Sequence, residues 1–240
     1  MLRFDDYRIL VTGGSSGIGN AMARAFRDAG AEVAATGTKP RDAYESDLDR
    51  IEFHTVDVGD EDQRRALAGR FDRLDVLINN AGMVAYRRAE YEPETFRQVL
   101  EVNLGAGLHL ATLLHDRLAA RPGSVINLSS MTAFFGSQGN PAYGASKAAI
   151  VQMTRTLAVG WGGDGIRVNA IAPGYVHTQM TDRFKQNEEA DRAISARTPL
   201  GRWGLPDDMA KVALFLASDL AGFVTGQTIS VDGGFGCAIG

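Results

Sequence analysis

The chain has 240 residues, with 25 Lys and Arg against 29 Asp and Glu, a formal charge of -4 and 45% hydrophobic residues. Those are the proportions of an ordinary globular protein that fits one domain, and the scattered basic residues argue against a nucleic-acid partner. No apolar run approaches the roughly 18 to 20 residues that a membrane span requires. The first residues, Met1-Leu2-Arg3-Phe4-Asp5-Asp6, carry acids where a signal peptide would be basic and then apolar. Cys237 is the single cysteine and cannot form an intrachain disulfide, and the four histidines lack metal-ligand spacing. The expectation is a cytoplasmic protein without a metal, a membrane anchor or a nucleic-acid partner.

Short β-rich runs alternate with longer helical stretches. Strands are expected at 8–11, 32–36, 51–56, 75–79, 124–129, 166–172 and 227–231. Helices are expected at 18–29, ended by Gly30, then at 60–71, 93–115, from about Ala142 onward, and at 206–217. The strands are mostly apolar, as they are when both faces of a sheet are covered. This pattern predicts an α/β fold: a single doubly wound, Rossmann-type domain with a parallel sheet of about seven strands and helices on both faces. Function is then expected at the carboxyl ends of the strands. Residues 178–205 show mixed polarity and no clean period, and are the candidate for a lid over the site.

After the first strand, Thr12-Gly13-Gly14-Ser15-Ser16-Gly17-Ile18-Gly19 opens directly into a helix. Glycines there let the backbone turn tightly and approach a ligand, and the helix N-terminus attracts phosphate. A nucleotide cofactor is the reading this context supports, although the spacing differs from G-x-G-x-x-G. Further on, Tyr143 and Lys147 stand four apart, which on a helix puts phenol and ammonium on one face. An ammonium beside a phenol lowers the phenol's pKa and makes it a usable acid/base.

In combination these segments resemble the short-chain dehydrogenase/reductase family. The loop matches its TGxxxGIG motif, Asn79-Asn80-Ala81-Gly82 its NNAG motif, and Pro173-Gly174 its PG turn. Asn103, Ser130, Tyr143 and Lys147 fall on its four catalytic positions, and the likeness runs from Arg8 to Gly234. The resemblance implies hydride transfer between a nicotinamide and a ketone or secondary alcohol. Tyr143 would exchange the proton, Ser130 would hold the substrate oxygen, and Lys147 would tune the phenol and bind the cofactor ribose. Asn103 would anchor a water linking Lys147 to solvent.

Carried over the same way, the cofactor would meet Gly13, Ser15, Ser16, Gly17, Ile18 and Gly19 at its phosphates, and Asp57 and Val58 at its adenine. Asp57 could instead cap the next helix. Asn79, Ala81 and Gly82 would line its middle, and Pro173, Gly174, Val176 and Thr178 would frame the nicotinamide. At the tip of the second strand, Gly37 stands where NAD-using members carry an acid, followed by Thr38, Lys39 and Arg41. A hydroxyl and two cations suit a 2'-phosphate, so NADP(H) is favoured, with NAD(H) possible.

The implied substrate is a small ketone or secondary alcohol. The alternatives are a 3-oxoacyl carrier-protein reductase, whose acidic partner would want cations (Arg121 keeps one basic position of that branch, but Asp164 stands at another), and an NAD-dependent sugar or polyol dehydrogenase. A dehalogenase, a lyase or a cofactor-sensing regulator on this fold would not need the intact loop, tyrosine and lysine together. Met131, Phe134, Phe135, Tyr175, Phe184 and Trp203 are candidates for an apolar substrate pocket, with His177 structural. Family members of this type suggest a homotetramer or homodimer, in which the tail 235–239 could lie in an interface.

Overall fold

Seven strands, all parallel, form one sheet in the order β3-β2-β1-β4-β5-β6-β7. They are β1 (Arg8–Val11), β2 (Glu32–Gly37), β3 (Glu52–Thr55), β4 (Val76–Asn79), β5 (Ser124–Leu128), β6 (Arg167–Pro173) and β7 (Thr228–Val231). The computed structural model describes residues 2–182 and 187–237. Phe184, a pocket candidate, and Ala238 and Ile239 of the tail lie outside the described residues.

The pleat sends alternate side chains to opposite faces. Ile9 and Val11 of β1, with Val76 and Ile78 of β4, pack on helices α1 (Gly17–Asp28) and α8 (Pro206–Ala217). Leu10 and Leu77 between them face the other side, against α2 (Glu61–Ala68) and α4 (Ala106–Leu113). Both faces are thereby covered, which is why these strands read as near-continuous apolar runs. β1 is paired with both β2 and β4 in matching register, Val11 opposite Ala35 and Ile78. The chain order reverses there, and a crevice opens at the carboxyl ends of the two strands.

The strands fall within two residues of their expected ends. The long helix expected at 93–115 is instead divided. α3 (Pro93–Leu100) passes into a π-turn at Glu101–Gly105, then α4, and after Leu114 a short α5 (His115–Ala119). Side chains of the π-turn are pulled sideways: Glu101 pairs with Arg64 at 2.8 Å, and Asn103 is drawn onto the backbone of Met83. An extra residue per turn is a recurrent device at functional sites. The 178–205 stretch contains a helix the sequence did not reveal, α7 (Glu188–Arg197), besides the remaining long helix α6 (Pro141–Trp161). Asn187 caps α7, accepting from the N–H groups of Glu189 and Ala190, and three acids occupy its first turn. No residue of α7 is buried, so it carries no apolar stripe to be read.

Arg121, a candidate docking cation, is used inside the fold. Its Nε donates to Asp75 Oδ1 at 2.7 Å and its guanidinium lies over the Tyr7 ring at 5.8 Å. Asp75, 4% exposed, also accepts the Arg8 N–H at 2.6 Å. The cluster sits at the amino ends of β1 and β4, opposite the crevice, and Asp164 pairs with His115 at 3.1 Å. Among the described residues no helix is long and apolar enough to cross a membrane, and no group of three or more His, Cys, Asp or Glu could hold a metal ion. Asp75→Ala strands a buried backbone N–H and a guanidinium, so urea unfolding should show a loss of about 1–3 kcal/mol at unchanged m-value.

Candidate active site

A cleft of about 870 Å³ runs along the carboxyl ends of the strands, from the glycine loop after β1 to Ser130, Tyr143 and Lys147. The loop approaches its neighbours backbone to backbone. Gly13 (φ 64°) and Gly17 (φ 54°) are left-handed, a region that glycine enters without strain. A Cβ on Gly19 would lie 2.3 Å from the Gly13 carbonyl and 2.4 Å from Asn80 Nδ2. Asn80 fixes the loop from the next strand, donating to the carbonyls of Thr12 (2.9 Å) and Gly13 (3.1 Å). Thr12 Oγ1 returns the contact by accepting the N–H groups of Asn80 and Ala81, each at 3.0 Å. Helix α1 starts on this loop with Ser16 as its cap, no side-chain capping bond and no acid in its first turn. Its first N–H groups are thus left for an anion, and Ser15, Ser16, Gly17, Ile18 and Gly19 line the cleft around them.

The end of the cleft where adenosine was expected is built from the tips of β2 and β3. Gly37, Thr38, Asp57 and Val58 line it. Asp57 does not cap α2; Asp60 does, accepting from Gln63, while Asp57 Oδ1 accepts the Gly59 N–H at 2.8 Å. Lys39 and Arg41 differ from their expected part. Arg41 is folded back onto the carbonyls of Leu48 (2.5 Å) and Ile51 (2.9 Å), and Lys39 does not line the cleft. What meets at the strand tip is a phenol, Tyr44, which sequence reading passed over. Its oxygen accepts the Lys39 N–H at 2.9 Å and bonds the hydroxyls of Ser15 and Thr38. Burial raises the Tyr44 pKa, but these bonds and the Lys39 charge outweigh it, leaving the phenol more acidic than usual.

At the other end β5 and α6 bring the expected residues together. Ser130 stands just past β5, where its hydroxyl accepts the Thr132 N–H at 3.2 Å and hydrogen-bonds the Tyr143 phenol. Lys147 lies one turn along α6 from Tyr143, 4% exposed, its ammonium 5.6 Å from the ring centroid. It donates to the Leu128 carbonyl at 2.7 Å, and Ser129 Oγ donates to the Lys147 carbonyl at 2.8 Å. Burial lowers Lys147 from 10.5 to about 8. Tyr143 moves the opposite way from expectation: burial raises its pKa, the Ser130 bond opposes this, and the charges of Tyr86 and Glu90 add to the rise. The Lys147 ammonium is turned to Leu128, so desolvation dominates the phenol.

Gly82 closes the site from the β4 side, a Cβ there falling 3.6 Å from Lys147 Nζ. Asn103 is buried outside the cleft lining: Oδ1 accepts the Met83 N–H (2.7 Å) and Nδ2 donates to the Met83 carbonyl (3.0 Å) and Ser146 Oγ (3.1 Å). Its side chain therefore splints the NNAG turn to α6. Asn79 is also displaced from its expected place, since its amide turns inward to Gly107 and Asn127, leaving Asn80 and Ala81 on the cleft wall. Pro173, Gly174, Val176 and Thr178 line the opposite wall. A second unforeseen residue is Glu90, 0% exposed, whose carboxylate accepts the N–H groups of Ala85 (3.0 Å) and Tyr143 (2.9 Å). Trp203 is buried rather than cleft-lining, with His177 stacked on it at 5.0 Å and Tyr175 edge-on at 5.3 Å. Phe134 and Phe135 are half exposed.

The family model for enoyl-(acyl carrier protein) reductases, one of the short-chain dehydrogenase/reductase models, matches residues 13–236. The chain is a short-chain dehydrogenase/reductase. It is 35% identical to the 3-oxoacyl-[acyl-carrier-protein] reductase of Thermotoga maritima, over 97% of this chain and 99% of that one. It is 36% identical to the 2-dehydro-3-deoxy-D-gluconate 5-dehydrogenase of Bacillus subtilis, over 94% and 93%. Among solved structures, a gluconate 5-dehydrogenase from Burkholderia cenocepacia in complex with NADP and tartrate superposes with a TM-score of 0.89 at 30% identity, covering 99% and 98%. Like other short-chain dehydrogenase/reductases, the chain is a nicotinamide-dependent oxidoreductase acting on CH–OH and C=O groups.

The buried Lys147 has a stability consequence. Its folded pKa of about 8 lies below its ordinary 10.5, so between those values the unfolded chain binds more protons and stability rises with pH. Below pH 8 the full cost of the buried charge persists. Lys147→Met should therefore raise urea stability at pH 7 by roughly 1–3 kcal/mol, with the gain shrinking toward pH 10. A variant less stable than wild type at pH 7 would contradict the burial argument.

Proposed function

We propose that this short-chain dehydrogenase/reductase prefers NADP(H) and interconverts a small ketone and its secondary alcohol, with Tyr143 as the acid/base. The observation that carries this reading is the Ser130–Tyr143 hydrogen bond beside a desolvated, titratable Lys147 at the end of a glycine-walled cleft. The glycine loop and the uncapped start of α1 fit a dinucleotide's phosphates; Asp57 and Val58, which line the cleft, would meet the adenine, and Pro173, Gly174, Val176 and Thr178 the nicotinamide. The cofactor, when bound, supplies or accepts the hydride.

The protein's own part is charge and proton. Ser130 and Tyr143 direct two hydroxyls at one substrate oxygen, the geometry needed to hold a developing alkoxide. Tyr143 gives its phenolic proton to that oxygen in reduction and takes it back in oxidation. Lys147, at a pKa near 8, can itself pass a proton at neutral pH, which resupplies the one Tyr143 gives up. Asn103 sets the spacing between the NNAG turn and α6 that keeps Lys147 beneath Gly82. Of the stretch 178–205, we read Thr178 to Thr181 as covering the cleft, because they line it and Thr178 packs over Gly17, where a Cβ would come within 3.3 Å of its methyl. By family habit the protein would be a cytoplasmic homotetramer.

NADP preference is supported by the missing acid at Gly37, by the Ser15 and Thr38 hydroxyls that Tyr44 holds at the strand tip, and by the NADP-bound relative. A sugar acid, as in the names of two relatives, suits the site better than an acyl carrier protein, because Arg121 is committed to Asp75. Fluorescence titration should show NADPH binding tighter than NADH. Tyr44→Phe, which removes the oxygen that orders the Ser15 and Thr38 hydroxyls, should weaken NADPH about tenfold and leave NADH within about twofold. Tyr143→Phe should keep the NADPH affinity and lose roughly 100- to 10,000-fold in turnover. Undiminished turnover in that variant, or no binding of either nucleotide, would overturn the reading.

A further inference from the structure

A trough leads out of the reaction end of the cleft. Met83, Gln179 and Met180 line both the cleft and an adjoining recess that also takes in Tyr86. Tyr86 in turn borders a recess of about 430 Å³ enclosed by Arg87, Arg88, Tyr91, Gln138 and Asn140. The buried Glu90 carboxylate accepts the N–H groups of both Ala85 and Tyr143, and so ties the loop that leads to the arginines to the helix that carries the acid/base.

Arg87 (φ 58°) and Arg88 (φ 63°) are consecutive left-handed residues, a conformation that costs any side chain bearing a Cβ. Strain of this kind persists only where the surroundings over-determine it, and it gathers at ligand clamps. The surroundings are explicit. The buried Glu90 carboxylate closes the loop on Ala85 N–H and pins it to Tyr143 N–H, and Asn140 Nδ2 donates to the Ala85 carbonyl at 2.9 Å. The two guanidinium groups are thereby presented on a braced turn at the start of α6. Neither has a hydrogen bond or an acidic partner among the described residues, and Arg88 is steadied only by the Tyr91 ring at 5.2 Å.

A pair of forked, uncommitted cations at the far end of a trough from a carbonyl-reducing centre matches a planar carboxylate. The cofactor's phosphates do not compete for it, because the glycine loop lies at the opposite end of the cleft. We propose that Arg87 and Arg88 form the carboxylate subsite for the substrate, which makes the enzyme selective for hydroxy and keto acids over their neutral analogues. The proposal rests on the oxidoreductase reading above and names the substrate class for the same site. The subsite binds and orients; it takes no part in bond making.

The test is calorimetric titration of the enzyme–NADPH complex, in which an alcohol binds without being oxidised, with gluconate against glucitol and 3-hydroxybutyrate against 2-butanol. In at least one pair the acid should bind at least about tenfold tighter than the neutral partner. Arg87→Asn/Arg88→Asn keeps a residue tolerant of left-handed backbone and should bring that ratio to within about twofold, with NADPH and neutral-ligand affinities unchanged. Arg87→Lys/Arg88→Lys should restore part of it. A wild-type ratio near one in both pairs, no binding of either acid, or a ratio that survives the asparagine variant overturns the proposal. The last result would direct the arginines to an acidic carrier protein instead. Failure of wild type to bind NADPH at all would strike the oxidoreductase reading, and is scored separately.

Discussion

The structure turns on an ammonium taken out of water with no carboxylate paired to it among the described residues. Lys147 is 4% exposed and its ammonium donates to the Leu128 carbonyl, a neutral acceptor at the end of β5. An ion pair would have fixed the charge permanently, whereas a carbonyl leaves it able to leave. That choice sets the geometry around it. The Ser129 hydroxyl ties α6 back to β5 at the Lys147 carbonyl, and Ser146, beside Lys147, donates to the Tyr143 carbonyl and accepts from Asn103. The helix carrying phenol and ammonium is thus held to β5 and to the π-turn at once. Stability is spent at this spot on a residue whose value is chemical.

The same economy operates along the rest of the cleft. Asn80 and Thr12 stitch β4 to β1 where strand order reverses, so the glycine loop is rigid although it is made of the most permissive residues. Because that stitching meets the backbone's own hydrogen-bonding needs from one side, the first turn of α1 can stay open on the other. Tyr44 and Glu90 repeat the device with a phenol and a carboxylate. Tyr44 takes the Lys39 N–H and the Ser15 and Thr38 hydroxyls, Glu90 takes the N–H groups of Ala85 and Tyr143, and each fixes a loop against the framework.

Much of this was legible in the sequence because it is local. Strand polarity gave the sheet, and the glycine loop and the Tyr143–Lys147 spacing gave the site, since each depends on residues within one turn or one loop. What escaped depends on partners far along the chain. The π-turn follows from Asn103 reaching Met83 and Glu101 reaching Arg64, and nothing in the run 93–115 announces either. α7 buries no residue, so it has no stripe to detect. Arg41 and Arg121 looked like available cations because a sequence does not say that one would turn onto the Leu48 and Ile51 carbonyls and the other onto Asp75. Tyr44 and Glu90 carried no motif at all, as their worth lies in the donors they collect from elsewhere in the fold.

The central claim is that burial alone holds the Lys147 ammonium near neutrality within hydrogen-bonding architecture shared with Tyr143. Lys39, Lys147, Lys185 and Lys211 are the chain's lysines, few enough to follow individually by NMR of 15N-labelled side-chain amines with a Lys147→Met control. The account expects one amine to titrate at about 8, to vanish in the control, and to shift when NADPH binds. Four amines all titrating above 10, unmoved by the cofactor, would contradict it.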